Sequence, residues 1–229
     1  MDDQARLERL ATQAAAEITP SMIVGLGSGS TAEAVLRALG TRMAAEGLRF
    51  TGVATSIRTA DLALSFGIPL RSLDEIDRID LGIDGADEIA PNLDVVKGRG
   101  GALLHEKIVA LTCERYLIVA VAEKEVAQLG ARLPLPVEII PLGWRQTYAR
   151  VASLGLSPRL RKAANGYDPY MTDGGHYILD CDPAPIADPP VLAVALKGLV
   201  GVVEHGLFIG IADRAMVVDP DGSMRTMVR

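Results

Sequence analysis

Apolar positions along the chain follow two alternating rhythms. Residues 1–18, MDDQARLERLATQAAAEI, place Leu7, Leu10, Ala11, Ala14, Ala15 and Ile18 on one helical face, the spacing of a surface helix. Short β-branched runs then alternate with helical stretches: MIVGLG, TAEAVLRALGTRMAAEG, FTGVAT, a helix near 57–66, IDLGID, LDVVK, a helix from about Gly101, and YLIVAVA. Strands alternating with helices predict a parallel sheet covered on both faces, an α/β fold of Rossmann-like type. Ligands of such sheets bind beyond the carboxyl ends of the strands, at the switch point.

The rhythm changes after AQLGARLPLPVEIIPLGW, where two prolines precede a new strand and a helix near 144–154. The hairpin-like MTDGGHYILDCD and a helix entered through Pro189 and Pro190 follow. This is the pattern of a second, smaller α+β domain, expected at 131–201 and inserted before the C-terminal segment. Residues 1–130 and 202–229 then form the Rossmann-like domain. The tail GLFIGIADRAMVVDPDGSMR resumes strand character, with DPDG as a turn, and is expected to return to the first sheet.

Composition narrows the class without changing this picture. The 229 residues are 49% hydrophobic and 4% aromatic, and the net charge of −6 is spread along the chain. No basic stretch with interleaved aromatics offers a footprint for nucleic acid. The apolar run LIVAVA, 117–122, is too short to cross a bilayer, and the acidic N-terminus excludes a basic signal-peptide start. Cys113 and Cys181 stand apart without CxxC spacing, as two reduced thiols of a cytoplasmic protein do.

Three clusters at strand ends carry candidate chemistry. In GLGSGSTAEAV, Gly25–Val35, a strand bends through glycines into a helix bearing hydroxyls at Ser28, Ser30 and Thr31. Amides and the positive dipole end at a helix N-terminus suit an anion, with phosphate the natural guest. In isolation, an ordinary glycine turn with a Ser or Thr cap is the better reading of this motif. A dinucleotide fingerprint is incomplete, since Ser30 replaces the third glycine and only Arg58 is left to argue for a 2′-phosphate. In LGIDGADEI, Leu81–Ile89, a buried strand ends in Asp84, Asp87 and Glu88. Such acids face solvent, a cation or a ligand; His105, His176 and His205 show no metal-binding spacing, so sugar hydroxyls outrank a metal. In VVKGRGGALLHEKIVAL, Val95–Leu111, Lys97 and a glycine turn precede a helix holding Glu106, which in isolation reads as a charged first turn on a solvated face.

Taken together, GLGSGSTA, IDGADEI, VKGRGGALLHEKIVA, PLPVEIIPLGW, TDGGHYILD and GVVEHGLF resemble, in order and across nearly the whole chain, the type A ribose-5-phosphate isomerases. That resemblance implies interconversion of ribose 5-phosphate and ribulose 5-phosphate with neither metal nor organic cofactor, in a homodimer or homotetramer. It makes Glu106 the general base and gives Asp84 and Asp87 roles in opening the furanose ring and holding hydroxyls, with Lys97 beside them. Substrate contacts are implied at Ser28, Gly29, Ser30, Thr31, Asp84, Gly85, Ala86, Asp87, Lys97, Gly98, Arg99 and Gly100, with Lys124 as phosphate lysine. Lys97 and the amides of Gly98–Gly100 would stabilise the enediolate that Glu106 creates.

Several positions depart from the family's usual wording: Gly174 and His176 in TDGGH, His105 before the base, His205 in VVEHGLF, and a first helix with Arg6 and Arg9 but no lysine. Two other functions fit parts of the pattern. A sugar-phosphate sensing module would share the GSGST loop, and a sugar-phosphate deaminase or lactonase would share the phosphate cradle. The first is expected to carry a DNA-binding helix-turn-helix, for which this sequence offers no N-terminal domain, and the second has no use for KGRGGALLHEK.

Overall fold

The computed structural model describes residues 2–229. The chain divides into two compact units. The first holds the residues up to Ala86, His105–Lys124 and Ile211–Arg229; the second holds Asp87–Leu104 and Glu125–Gly210.

In chain order, helix α1 (Asp3–Ala15) is capped by the Asp2 carboxylate, which accepts from the Ala5 amide. Strand β1 (Ile23–Leu26) leads into α2 (Ser30–Glu46), which Gly47 ends in the left-handed conformation. Strand β2 (Thr51–Ala54) precedes α3 (Ile57–Ser65), capped by Ser56. Strands β3 (Leu81–Asp84), β4 (Glu88–Ile89) and β5 (Val95–Val96) precede α4 (Leu103–Thr112) and β6 (Tyr116–Val121). Then come β7 (Leu135–Ile139), α5 (Trp144–Ala152), β8 (Pro158–Leu160) and β9 (Tyr177–Cys181). Helix α6 (Pro189–Lys197) starts on its two prolines with Asp188 as cap, and β10 (Val202–His205), β11 (Leu207–Phe208), β12 (Arg214–Val218) and β13 (Met224–Val228) complete the chain.

The first unit is built on a six-stranded sheet of order β13-β12-β6-β3-β1-β2. All neighbours are parallel except β13, which returns antiparallel to β12. Period-two alternation assigns the faces. Val24, Leu26, Leu81, Ile83, Leu117 and Val119 share a core with Leu10, Ala14 and Ile18, the stripe the N-terminal spacing predicts, and with Leu36 and Leu39 of α2. Gly25, Gly82 and Tyr116 lie between these residues on the opposite face, where Val109 and Cys113 meet Gly25 and Cys113 meets Gly82.

The second unit has a four-stranded antiparallel sheet of order β10-β7-β9-β8, with Val137, Ile139, Leu179 and Cys181 in a core shared with Val151 of α5 and Leu196 of α6. A separate three-stranded antiparallel sheet runs β11-β5-β4. Two expectations are corrected here. The LDVVK strand is not part of the parallel sheet, and the GLFIG strand does not return to it. Parallel pairing requires a crossover of about a dozen residues or more, usually helical, and the chain between β3 and β5 holds no helix. The second unit therefore takes in 87–104, 125–130 and 202–210 beside the 131–201 expected from sequence.

Candidate active site

In the first unit, β1 has β2 on one side and β3 on the other, so the switch point lies between β1 and β3, where the loops after Leu26 and Asp84 leave the sheet. Asp84 is 1% exposed and its carboxylate is bonded on both oxygens. The amides of Gly85 (2.7 Å) and Ser28 (3.2 Å) donate to Oδ1, and the Tyr116 hydroxyl donates to Oδ2 at 3.0 Å. Gly27 is required on steric grounds, since a Cβ there would lie 2.2 Å from the Asp84 carboxyl carbon.

The loop then turns at Gly29 (φ 89°) into α2, whose first turn has no side-chain cap. Its orphan amides and dipole remain open to an anion, with Ser30 exposed and Thr31 half-buried beside them. Ser28 is used differently: its hydroxyl joins those of Thr55 (2.8 Å), Ser56 (2.9 Å) and Thr59 (3.1 Å). Thr55 and Thr59 in turn donate to the carbonyls of Leu26 and Gly27, so this cluster braces the loop from behind. Arg58, the residue that kept a dinucleotide reading open, forms an ion pair with Glu33 at 2.7 Å.

Glu106 sits in the first turn of α4 and is 4% exposed, so it is no solvated decoration. Val109 and Cys113 follow at helical spacing on the face that covers Gly25 and Gly82. The Tyr116 phenol is pushed well above the usual tyrosine range, first by burial and then by the charges of Asp84 and Glu106. Two buried carboxylates thus act on one neutral phenol. Burial likewise pushes the Cys113 thiol up to about 12, with Asp84 and Asp213 adding to it.

Lys124 ends a short 3-10 turn, Ala122–Lys124, directly after β6, and is half-buried. Arg6 braces that turn by donating to Glu123 at 3.0 Å and to Asp3 at 2.7 Å; these two hydrogen bonds hold the guanidinium above its ordinary value.

In the second unit, Asp87 and Lys97 flank the β4–β5 pair. Lys97 is 3% exposed, its amide donates to Gly206 O (2.9 Å), and its ammonium lies 5.7 Å from the Phe208 ring centroid, a cation–π contact. A Cβ on Gly206 would fall 2.3 Å from Lys97 O, so only glycine admits this approach. Asp87 accepts from the Arg99 amide at 3.0 Å. The turn after Lys97 passes through Gly98 (φ 111°) and Gly101 (φ 84°), with Gly101 donating to Gly98 O. Arg161 holds the outside of this turn. It is bound through both ends of the Asp180 carboxylate and donates to the carbonyls of Gly98 (3.0 Å) and Arg99 (3.1 Å).

Glu88, the third acid of its cluster, accepts from the amides of Gly130, Arg132 and Leu133 and so builds a loop of its own unit. The departures in TDGGH gather at the buried Glu138: its Oε1 accepts from Thr172 (2.9 Å) and lies 3.0 Å from Nδ1 of the half-buried His176, while the exposed Gly174 leaves room for the imidazole. His205 is buried and its Nδ1 accepts from the Leu207 amide at 3.3 Å. His105 is half-buried at the start of α4. Tyr116, Thr59 and Arg161 escaped the sequence reading. A tyrosine opening an apolar strand is the one local signal for Tyr116, and nothing local points Arg161 at a turn far upstream. Among the described residues, no group of three or more His, Cys, Asp or Glu side chains is gathered to hold a metal ion, and no helix is long and apolar enough to cross a membrane.

Several known proteins resemble this chain along most of its length. Residues 51–222 match the family model for ribose 5-phosphate isomerase A (phosphoriboisomerase A). A ribose-5-phosphate isomerase A from Synechococcus sp. (strain JA-3-3Ab) is 55% identical over 218 residues, 94% of each chain. A solved D-ribose-5-phosphate isomerase in complex with phospho-erythronic acid superposes with a TM-score of 0.96 at 33% identity, over 100% of both chains. Ribose 5-phosphate isomerase A from Methanocaldococcus jannaschii does so with a TM-score of 0.94 at 32% identity, again over 100% of both. With a family model matched over most of its length and close relatives matched nearly end to end, the chain belongs to the ribose 5-phosphate isomerase A family.

Proposed function

We propose that the protein interconverts D-ribose 5-phosphate and D-ribulose 5-phosphate through an enediolate, with Glu106 as general base, as a step of the non-oxidative pentose phosphate pathway. The observation that carries this reading is the pair of buried carboxylates, Asp84 and Glu106, acting on one phenol on the sheet face covered by α4. Beside Asp84, the loop from β1 enters a helix with open amides, fit for a phosphate.

The reaction follows from these placements. Asp84 takes the proton of the anomeric hydroxyl and returns it to the ring oxygen as the C1–O4 bond breaks and C1 becomes a carbonyl. Glu106 removes the C2 proton, giving the enediolate, and delivers it to C1 while the O2 proton passes to O1, leaving the carbonyl at C2. The family resemblance supports Lys97 and the amides of Gly98–Gly100 as stabilisers of the developing oxyanion, and Asp87, Gly85, Ala86 and Arg99 as partners of the sugar hydroxyls. Phosphate held by the amides of Gly29–Thr31, the hydroxyls of Ser30 and Thr31, and Lys124 turns binding energy into orientation of C1 and C2. Ser28 contributes its amide to Asp84.

By the same reading the protein works in the cytoplasm as a homodimer or homotetramer. A sensor module, a deaminase or a lactonase is not favoured, because the matched family and relatives are isomerases. The test is conversion of ribose 5-phosphate to ketose by purified protein with EDTA present and no nucleotide added. Turnover is expected to be undiminished; strict dependence on a divalent ion would recast Asp84 and Asp87 as ligands and sink this mechanism.

A further inference from the structure

Tyr116 has no part in the reaction as described, yet the fold is shaped around it. It opens β6 opposite Gly82 of β3, and its ring lies over that glycine to reach Asp84, two residues further along the same face. A Cβ on Gly82 would sit 2.6 Å from the ring's Cδ2, so any other residue there would displace the ring. The side chain is 3% exposed, and its buried phenol stays a neutral donor.

Asp84 is thereby held at both ends. Two amides fix Oδ1, the phenol engages Oδ2, and Gly27 closes one side of the carboxyl carbon. A carboxylate bonded on one oxygen alone keeps rotational freedom about its last torsion, whose preferences are broad. Bonded on both, its plane is set.

We infer that Tyr116 is a positioning residue for ring opening: by donating to Oδ2 it orients the Asp84 carboxylate toward the anomeric hydroxyl and ring oxygen of the aldose. This rests on the assignment of Asp84 to that step. It predicts a division of labour that substrate chemistry can read. Ribulose 5-phosphate cannot close a furanose ring, because its O5 carries the phosphate, so proton removal at its C1 needs Glu106 and no ring opening.

The experiment is Tyr116→Phe, with Asp84→Asn alongside, in two assays: turnover of ribose 5-phosphate, and enzyme-catalysed uptake of deuterium from solvent at C1 of ribulose 5-phosphate. For Tyr116→Phe, aldose turnover should fall about tenfold or more, the scale of one hydrogen bond to a charged group, with KM nearly unchanged and ketose exchange near wild type. Equal loss in both assays, or failure of the variant to fold, would show that the phenol supports the structure at large. Undiminished aldose turnover in Tyr116→Phe, with Asp84→Asn impaired, would overturn the positioning role alone. Undiminished turnover in Asp84→Asn would instead remove Asp84 from ring opening.

Discussion

Glu106 is one of four charged residues in VVKGRGGALLHEKIVAL, and burial is what separates it from a surface charge. A carboxylate decorating an exposed first turn contributes about 0.3–1 kcal/mol through the helix dipole. A carboxylate taken out of water costs more than that unless it is paired and hydrogen-bonded. Glu106→Gln keeps shape and hydrogen bonding but accepts no proton. Turnover should drop by roughly 10²-fold or more, the low end of general-base effects, while inhibitor binding stays near normal. Steady-state rate and exchange of the substrate's C2 hydrogen with deuterated solvent, measured together on folded variant, check this. Wild-type turnover and exchange in that variant would hand the base role to another group, Asp84 or Asp87 first.

At the scale of elements, the proposed anion cradle draws on two connections rather than on one motif. The N-terminus of α2 offers amides without a side-chain cap, and the turn after β6 presents Lys124, braced through Glu123 by Arg6 on α1. An ammonium adds a charge-assisted bond to a phosphate that the helix terminus already attracts. Lys124→Ala should weaken binding of a phosphorylated substrate-like inhibitor by roughly 1.5–3 kcal/mol, the value of one hydrogen bond to a charged group. Titration of that inhibitor into the variant decides the matter, and unchanged affinity would exclude Lys124 as the phosphate lysine.

For the whole molecule, each unit has its own core and one cysteine, Cys113 in the first and Cys181 in the second. Burial pushes both thiols up to about 12, helped by Asp84 and Asp213 at Cys113 and by Asp180 and Asp182 at Cys181. With the folded value raised, thiolate is scarce at pH 8, and unfolding returns each thiol to about 8.5, where it reacts readily. A thiol reagent should therefore label neither cysteine quickly in the native protein. Labelling at increasing denaturant, resolved by peptide mapping, should report the opening of each unit separately. Rapid stoichiometric modification of either cysteine in native buffer at pH 8 would contradict the packing described.

Much was already legible in the sequence because it is locally encoded. The stripe from Leu10 to Ile18, the strand that ends in Asp84, the helix that carries Glu106 and the glycines that mark each turn follow from periodicity and backbone preference. What local pattern cannot carry is the partner of a short strand or the far end of a side chain. The strands around Val95 and Leu207 read as members of the parallel sheet, and tertiary pairing placed them together in a small antiparallel one. Ser28 read as part of the substrate loop, and its hydroxyl bonds to Thr55 and Thr59, which that loop does not reveal. Tyr116 read as the start of an apolar strand, and the register of β6 on β3 made it the second holder of Asp84. The physical reason is the same in all three: a hydrogen bond between residues distant in the chain depends on sheet register and on which face a side chain takes. Those are properties of the assembled sheet, absent from any window of the sequence.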